Sequence, residues 1–483
     1  GLRLYDSTQG AHPVRQTIAP IFGLEQAQVE VIAPHVGGGF GSKGLPHAPL
    51  VLAALAAQRS GGRPVKYAVS RQQMFPLVGY RTPTRQRIRL AANRDGQLTA
   101  ISHESVEQTA RIKEFNEGSA GSAGMLYAAE NRRVTNRLVP LDVPATTWMR
   151  APGKCPGVHA MEVAMDEMAE ACGLDPIEFR VRNEPEVDPE SGKPFSSRNL
   201  VACLREGARR FGWDDRGPVG SRREDGWYVG MGVAASTYPT IMMPGSVARI
   251  RYQSGKYQVM IGAADIGTGT WTALAQIAAD ALEVPFEAVE PHIGSTVFPN
   301  ATVAGGSTGI ASWGSAIMAA ARAFRNEHGR RPPEGAEAEG TAERDPEAKK
   351  FSMHAFGAQF AEVRVHEDTG EIRVPRMLGV FAAGRIVNAR TARSQFIGGM
   401  TMGLSMALHE LGYFDTRTGH VVNHDFAEYH VAANADVGTV DAVWLDEEDP
   451  HVNPLGTKGI GEIGIVGTAA SIVNAAYHAT GIR

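Results

Sequence analysis

Cysteine is nearly absent. The 483 residues hold three thiols, Cys155, Cys172 and Cys203, and none belongs to a Cys-x-x-Cys pair. That excludes a disulfide framework, a cysteine-built zinc site and an iron–sulfur cluster, which alone takes about four thiolates. An excess of one charge is also missing: 48 Lys plus Arg stand against 52 Asp plus Glu, a net charge of -4. Nucleic acid as the main partner is therefore disfavoured, because neutralising phosphates needs a clustered cationic surplus. No secretory leader pattern opens the chain, which begins at Gly1. The uncharged run Ile463–Ile482 includes Asn474, Tyr477, His478 and several Gly and Thr, and reads as a buried Ala/Gly-rich helix rather than a membrane span. Hydrophobic residues at 43% and charged residues at 21% describe a folded chain of two to four domains.

Strand-like and helix-like segments alternate, which favours an α/β or α+β class. Strands are expected at Gln28–Val36, Pro64–Arg71, Gln86–Leu90, Val229–Ala235, Ser246–Tyr252 and Tyr257–Ile261, and helices at Ala48–Gln58, Gly157–Cys172, Asn199–Phe211 and Thr272–Leu282. Gly, Pro, Arg and Asp crowd Trp213–Asp225, a candidate boundary between a first domain, 1–220, and a second, 221–483. Arg330–Lys350 is Pro/Glu/Lys-rich and is expected as an exposed loop. Arg85, Arg87 and Arg89 alternate along one strand face, which reads as solvated. His420, His424 and His430, with Asp425 and Glu428, lack the His-Glu-x-x-His spacing of a zinc site.

Five small-residue turns stand out: Gly37–Gly44, Ile266–Gly269, Gly305–Gly309, Gly398–Gly403 and Gly456–Gly464. Glycine lets backbone N–H groups approach a ligand with no Cβ in the way, and such turns and helix starts suit anions. Five of them suggest one extended anionic ligand touched by many loops. Gly39-Phe-Gly41-Ser-Lys-Gly44 also fits the dinucleotide fingerprint, but the next expected strand ends in Ser70-Arg71 with no acidic residue. Arg71 could suit a 2′-phosphate, which leaves an NADP-dependent dehydrogenase open. Glu462 lies between glycines just after Lys458, either as a turn glutamate paired with that lysine or as a base pressed against a cofactor.

Gly37-Gly-Gly-Phe-Gly-Ser-Lys43, Met149-Arg-Ala-Pro-Gly153, Glu162-x-x-x-Asp166-Glu167, Asp175–Asn183 and Lys458-Gly-Ile-Gly-Glu462 together resemble the molybdenum-binding subunits of the xanthine dehydrogenase/aldehyde oxidase family. The resemblance covers essentially the whole chain. It is strongest toward the large subunit of bacterial periplasmic aldehyde oxidoreductases. It implies an α+β fold of two elongated mixed α/β molybdopterin-binding domains, without the family's N-terminal α/β region, around molybdopterin cytosine dinucleotide. It further implies that Glu462 is the catalytic base, that Arg150 stands near the metal's oxo group and that Gln9 bonds its apical oxygen. By the same resemblance Gly38, Gly39 and Phe40 press against pterin and metal. Ile266-Gly267-Thr268-Gly269, Gly306-Ser307-Thr308-Gly309, Arg385-Ile386-Val387-Asn388-Ala389-Arg390-Thr391, Gln395 and Lys458-Gly459-Ile460-Gly461 hold the rest of the cofactor. No side chain ligates the metal directly.

The implied reaction is oxidation of an aldehyde to a carboxylic acid with water as oxygen source, with Pro152 and Tyr238 lining the substrate funnel. Purine-oxidising relatives carry a glutamate where this chain has Gly44 and an arginine in the loop that here reads Phe115–Ser119. Carbon monoxide-oxidising ones carry a cysteine that Ala145–Met149 lacks. A heteroaromatic hydroxylase of the same family stays open, as does a non-catalytic scaffold. With too few thiols for a cluster, the electrons would leave through an iron–sulfur subunit and an FAD subunit. The compartment, periplasm or cytoplasm, cannot be read from this chain.

Overall fold

Val, Tyr, Trp and Thr crowd the segment Trp227–Pro239, and it forms a 13-residue strand buried along nearly all of its length. Burial on both faces means that other elements must cover it from two sides. The computed structural model describes residues 1–483 and shows how that is done.

The chain opens with a parallel pair, β1 (Leu2–Tyr5) and β2 (Val29–Ile32), joined by α1 (Ala11–Ile21) and followed by α2 (Ala48–Arg59) and the short α3 (Arg71–Leu77). An open three-stranded sheet comes next, β3 (Thr84–Ala92), β4 (Leu98–Ala110) and β5 (Asn131–Leu141), then α4 (Lys154–Ala171), α5 (Pro176–Arg182) and α6 (Leu200–Phe211). The two-residue β6 (Arg223–Glu224) and the long β7 (Trp227–Pro239) start a sheet that is completed far downstream. Between them lies a smaller unit, β8 (Val247–Gln253), β9 (Lys256–Met260), α7 (Thr270–Leu282), β10 (Val289–His292), α8 (Gly309–His328) and β11 (Glu337–Thr341), with strand order β10-β9-β8-β11. The chain then returns with β12 (His354–His366) and β13 (Ile372–Ala382), α9 (Ala389–Leu408), β14 (Thr439–Trp444) and the closing helices α10 (Ile463–Val466) and α11 (Thr468–Thr480). The large sheet runs β14-β13-β12-β7-β6.

Register explains its burial. Phe360 of β12 sits where a Cβ on Gly207 of α6 would strike it, whereas the next residue, Ala361, aligns with Gly232 beneath α11. Successive strand residues face opposite ways, so α6 and α11 cover opposite faces. Gly230 and Gly232 let α11 approach so closely that a Cβ on either would overlap the helix backbone at Ala475 and Ser471. The largest core, of 45 buried residues, draws side chains from Leu98 to Ala475 and so from both sides of residue 220.

Most expected elements are present within a few residues, and Arg85, Arg87 and Arg89 do lie exposed on β3. Three expectations need correction. The strand at Pro64–Arg71 is absent: the segment is irregular, and Ser70 starts α3 instead, its hydroxyl accepting from Gln73 N while Gln73 Oε1 accepts from Ser70 N. Arg330–Lys350 is not all loop. Glu337–Thr341 forms edge strand β11 on β8, with Ala336 and Ala338 buried. The first strand ends at Ile32 rather than Val36, just before Pro34. No helix is long and apolar enough to cross a membrane.

One buried carboxylate joins the two halves. Glu162 of α4 pairs with Arg180 at 2.7 Å, both side chains fully buried, accepts from Ala235 N of β7 at 2.7 Å and from the Tyr127 hydroxyl at 2.5 Å. Glu162→Ala strands a buried guanidinium, and unfolding experiments should show a loss of about 3–5 kcal/mol.

Candidate active site

The first glycine loop is shaped by what lies behind it. Gln9 is buried; its Oε1 accepts from Gly41 N at 2.9 Å and its Nε2 donates to Ala304 O at 2.6 Å, so one amide fastens the loop at 37–41 to the loop at 304–309. A Cβ on Gly39 would lie 2.6 Å from Gln9 Oε1, and only glycine leaves that amide room. Phe40 takes a left-handed φ of 54°, half exposed, and its carbonyl accepts from Arg150 N at 2.8 Å.

Arg150 then reaches the last glycine loop. Its Nε donates to Gly461 O and its Nη2 to Gln395 O of α9, each at 2.7 Å. Burial lowers this guanidinium to about 10, with the nearby Glu462 carboxylate working against the fall. Glu462 Oε1 accepts from Ala151 N at 3.1 Å and Oε2 from the Ser307 hydroxyl at 2.7 Å. Tyr238 is buried against the same carboxylate, and burial, reinforced by that charge, pushes its phenol well above its ordinary range. The links close a ring: Phe40 to Arg150, Arg150 to Gly461 and Glu462, Glu462 to Ser307, Ala304 to Gln9, and Gln9 to Gly41. Of six non-glycine residues with positive φ in the chain, Phe40, Ala151 and Ser307 belong to this ring. Such conformations cost about 1–3 kcal/mol each and persist where surrounding bonds enforce them.

Lys458 does not serve Glu462. It is buried with Glu447 at 3.0 Å and Asp449 at 3.4 Å, donates to the Ser197 hydroxyl, and supports the last glycine loop from beneath. That corrects the expected lysine–glutamate turn pair; the acidic run Asp446–Asp449 was the signal of its true partners. Asp265 Oδ1 accepts from Gly267 N at 2.8 Å and Thr268 N at 3.1 Å, so the turn at Ile266–Gly269 is internally braced. Asn388 caps α9 through Thr391 N and donates to Gln276 of α7. Thr391 in turn sits where a Cβ on Gly269 would fall, which brings the starts of α7 and α9 together. Arg385 pairs with Asp280 at 2.8 Å on the surface, Arg390 lies exposed in the first turn of α9, Ile386 and Val387 pack against two cores, and Gln395 contributes its carbonyl to Arg150. Pro152 is half-buried beside Ala151.

Two residues behind the ring escaped the sequence reading. Glu117 Oε1 accepts from Gly153 N at 3.0 Å and from Arg81 at 2.8 Å, and Arg81 Nη2 donates to Arg150 O at 2.6 Å. Burial pushes the Glu117 carboxyl up. Its position before Gly118, in a loop otherwise read only for a missing arginine, was the available clue.

The donor set fits a flat, acceptor-rich, anionic group such as a pterin dinucleotide. Backbone N–H groups at Gly38–Phe40, Gly306–Ser307 and Gly459–Glu462 have no acceptor within the chain. A Cβ on Gly459 would meet Ser307 Cβ at 2.6 Å, so the second and third of these loops touch. The NADP reading fails on the same ground plan: the sheet before Gly39 has two strands, no strand follows at 64–70, and Arg71 opens α3. The histidines at 420–430 do not come together with Asp425 or Glu428 as a group of three or more side chains that could hold a metal ion.

Residues 1–184 match a molybdopterin cofactor-binding domain family, and residues 206–331 and 330–438 match a second family of the same description. The chain is 40% identical over 513 aligned positions to the aldehyde oxidoreductase molybdenum-binding subunit PaoC of Escherichia coli K12, covering all of this chain and 70% of that one. It is 27% identical to the same organism's putative xanthine dehydrogenase molybdenum-binding subunit XdhA, of which it covers 71%. Among solved structures, the aldehyde oxidoreductase of Desulfovibrio desulfuricans superposes with a TM-score of 0.87 at 25% identity, over 99% of this chain and 56% of that chain. Quinoline 2-oxidoreductase of Pseudomonas putida 86 superposes with 0.86 at 24% identity and shares the fold. The chain therefore belongs to the xanthine dehydrogenase/aldehyde oxidase family of molybdenum-dependent oxidoreductases. It spans about 70% of its curated relatives PaoC and XdhA and just over half of the Desulfovibrio chain.

Gln9→Ala leaves Gly41 N–H and Ala304 C=O facing each other with nothing between. Denaturant titration of the full chain should show a loss of about 1–3 kcal/mol.

Proposed function

We propose that this chain is the molybdenum-binding subunit of an aldehyde-oxidising complex and that Glu462 is its catalytic base. The observation that carries the reading is the Glu462 carboxylate, held by Ser307 and Ala151 and faced by Tyr238 at the point where the free N–H groups of the glycine loops converge. When bound, the molybdenum cofactor supplies a water-derived oxygen and accepts two electrons.

The loops at Gly38–Phe40, Gly306–Gly309 and Gly459–Gly461 would hold the pterin. The turn at Ile266–Gly269, the cap at Arg385–Thr391 and the start of α9 would hold the pyrophosphate and cytosine of the dinucleotide form, where helix starts favour anions. Arg150 positions the site, since its donors are engaged with the carbonyls of Gly461 and Gln395. Gln9 spends one donor and one acceptor on the loops and keeps one of each for a ligand. Glu462 would take the proton of the attacking oxygen as that oxygen bonds to the aldehyde carbon, whose hydrogen would leave with its electron pair toward the bound cofactor, and the Ser307 hydroxyl steadies the carboxylate beforehand.

An aldehyde suits the surroundings better than a purine. Gly44 and the loop Phe115–Ser119 offer no charged pair to a purine edge, and each polar group of the purine buried there without a partner would cost about 1–3 kcal/mol. Pro152 and Tyr238 would line the approach. We assign residues 1–220 and 221–483 to two cofactor-binding domains that share one core. Electrons leave to an iron–sulfur subunit and an FAD subunit, consistent with only three separate thiols here.

Glu462→Gln in the assembled complex keeps the shape and the Ser307 contact but removes the base. Aldehyde turnover should fall by about 10²–10⁴ while molybdenum and cytosine nucleotide content, measured on the same sample, stays at the wild-type level. Unchanged turnover would remove Glu462 from the mechanism, and absence of molybdenum from the wild-type complex would remove the reading altogether.

A further inference from the structure

Two groups of residues that the proposed chemistry leaves unused, Arg71 and the histidines near 420, meet in one place. Helix α3 packs against the connection between α9 and β14. Together they border an open cleft of about 380 Å³, within the usual size for a small-molecule site. Phe75, Pro76 and Val421 make its apolar wall; Gln72, His420 and His424 make its polar edge.

Phe75 belongs to a second arrangement as well. The Arg71 guanidinium stands 4.8 Å from the ring centres of Phe75 and Phe426 and 5.8 Å from that of Tyr429. It makes no ion pair, and its buried Nε has no partner. Nδ1 of His424, whose ring lies 6.4 Å from Phe75, is likewise buried without a partner. The nearby carboxylates are otherwise engaged. Asp425 accepts from Ala427 N and Glu428 N, Glu410 accepts from the Tyr429 hydroxyl, and Asp415 pairs with Arg417. A weakly hydrated cation clad in aromatic rings, close to an apolar cleft edged by His420 and His424, lacks only an anion with a flat apolar body.

We propose that this cavity is a second binding site, for a small aromatic monocarboxylate. Its ring lies against Phe75 and Val421, its carboxylate accepts from His424 and His420, and the unpaired charge of Arg71 adds attraction. The site borders the segment that runs into Arg150, for Pro144 lines the cavity and Thr147 N donates to Tyr80 O at 3.1 Å. A carboxylic acid is also what aldehyde oxidation releases; that connection rests on the proposed function, whereas binding does not.

Isothermal titration of the full chain with benzoate tests the assignment. Saturable binding is expected, weakened by about tenfold or more in both His424→Ala and Arg71→Gln, with benzyl alcohol weaker than benzoate by a similar factor. Glu462→Gln should leave benzoate affinity unchanged, which separates this cavity from the catalytic cleft and keeps the result independent of the catalytic reading. Should Arg71→Gln lower the melting temperature of the chain, His424→Ala decides alone. No saturable binding, binding that both variants retain, or binding abolished by Glu462→Gln would each overturn the proposal.

Discussion

A buried guanidinium whose hydrogen bonds go to backbone carbonyls is the interaction on which the site depends. Desolvating Arg150 is costly, and the one carboxylate near it, Glu462, is spoken for by Ser307 and Ala151. The two carbonyls at Gly461 and Gln395 must therefore stay where they are, because a buried charge that loses its acceptors costs several kcal/mol. Through that demand one residue joins two loops: its side chain holds the last glycine loop, which carries Glu462, and its backbone N–H meets the first at Phe40. Gln9 and Ser307 complete the circuit with uncharged hydrogen bonds. Strained conformations at Phe40, Ala151 and Ser307 are tolerated because ring hydrogen bonds hold them, through Phe40 O, Ala151 N and the Ser307 hydroxyl.

Such a ring needs a rigid support, since its members lie up to 450 residues apart in the chain. The sheet built from β7, β12, β13 and β14 provides it, sandwiched between α6 and α11. Glu162 fastens α4 and α5 to β7 from one side. Lys458, with Glu447 and Asp449, fastens the last glycine loop to the end of the sheet. Glu117 and Arg81 do the same for the turn at Ala151–Gly153. Each brace is a buried ion pair, a choice that fixes register strongly even where it adds little net stability.

Much of this architecture was legible in residue patterns, and the exceptions have identifiable causes. Helices such as α4 and α7 show their apolar spacing openly, and β7 announces itself through β-branched and aromatic residues. The segment at 64–70 carries strand-forming Val65, Tyr67 and Val69 but finds no neighbouring strand, while Ser70 and Gln73 cap a helix locally. The strand β11 was hidden because edge strands need little apolar content; two alanines and one close glycine suffice against α8. At the site, the glycine loops and Glu462 stood out because glycines cluster in five short turns and a single carboxylate lies inside the last of them. The partner of Lys458 did not, because nearness in sequence to Glu462 competed with an acidic run ten residues upstream, and only the fold decides between them. Ser307 was marked for its loop, but its bond to Glu462 depends on a φ of 56° that the sequence does not display.

If the ring acts as one unit, its members should be energetically coupled even where they do not touch. A double-mutant cycle on Gln9→Ala and Arg150→Ala, with stability of the full chain read by denaturant unfolding, measures this directly. The two side chains do not touch; the Gln9 amide and the Arg150 backbone N–H meet on the loop at Phe40–Gly41. A coupling energy of about 1 kcal/mol or more is expected, because losing the Arg150 side chain frees the backbone whose N–H meets Phe40, in the same loop that Gln9 fastens. Additivity within about 0.5 kcal/mol would contradict it and show the loops to be independent attachments around the carboxylate.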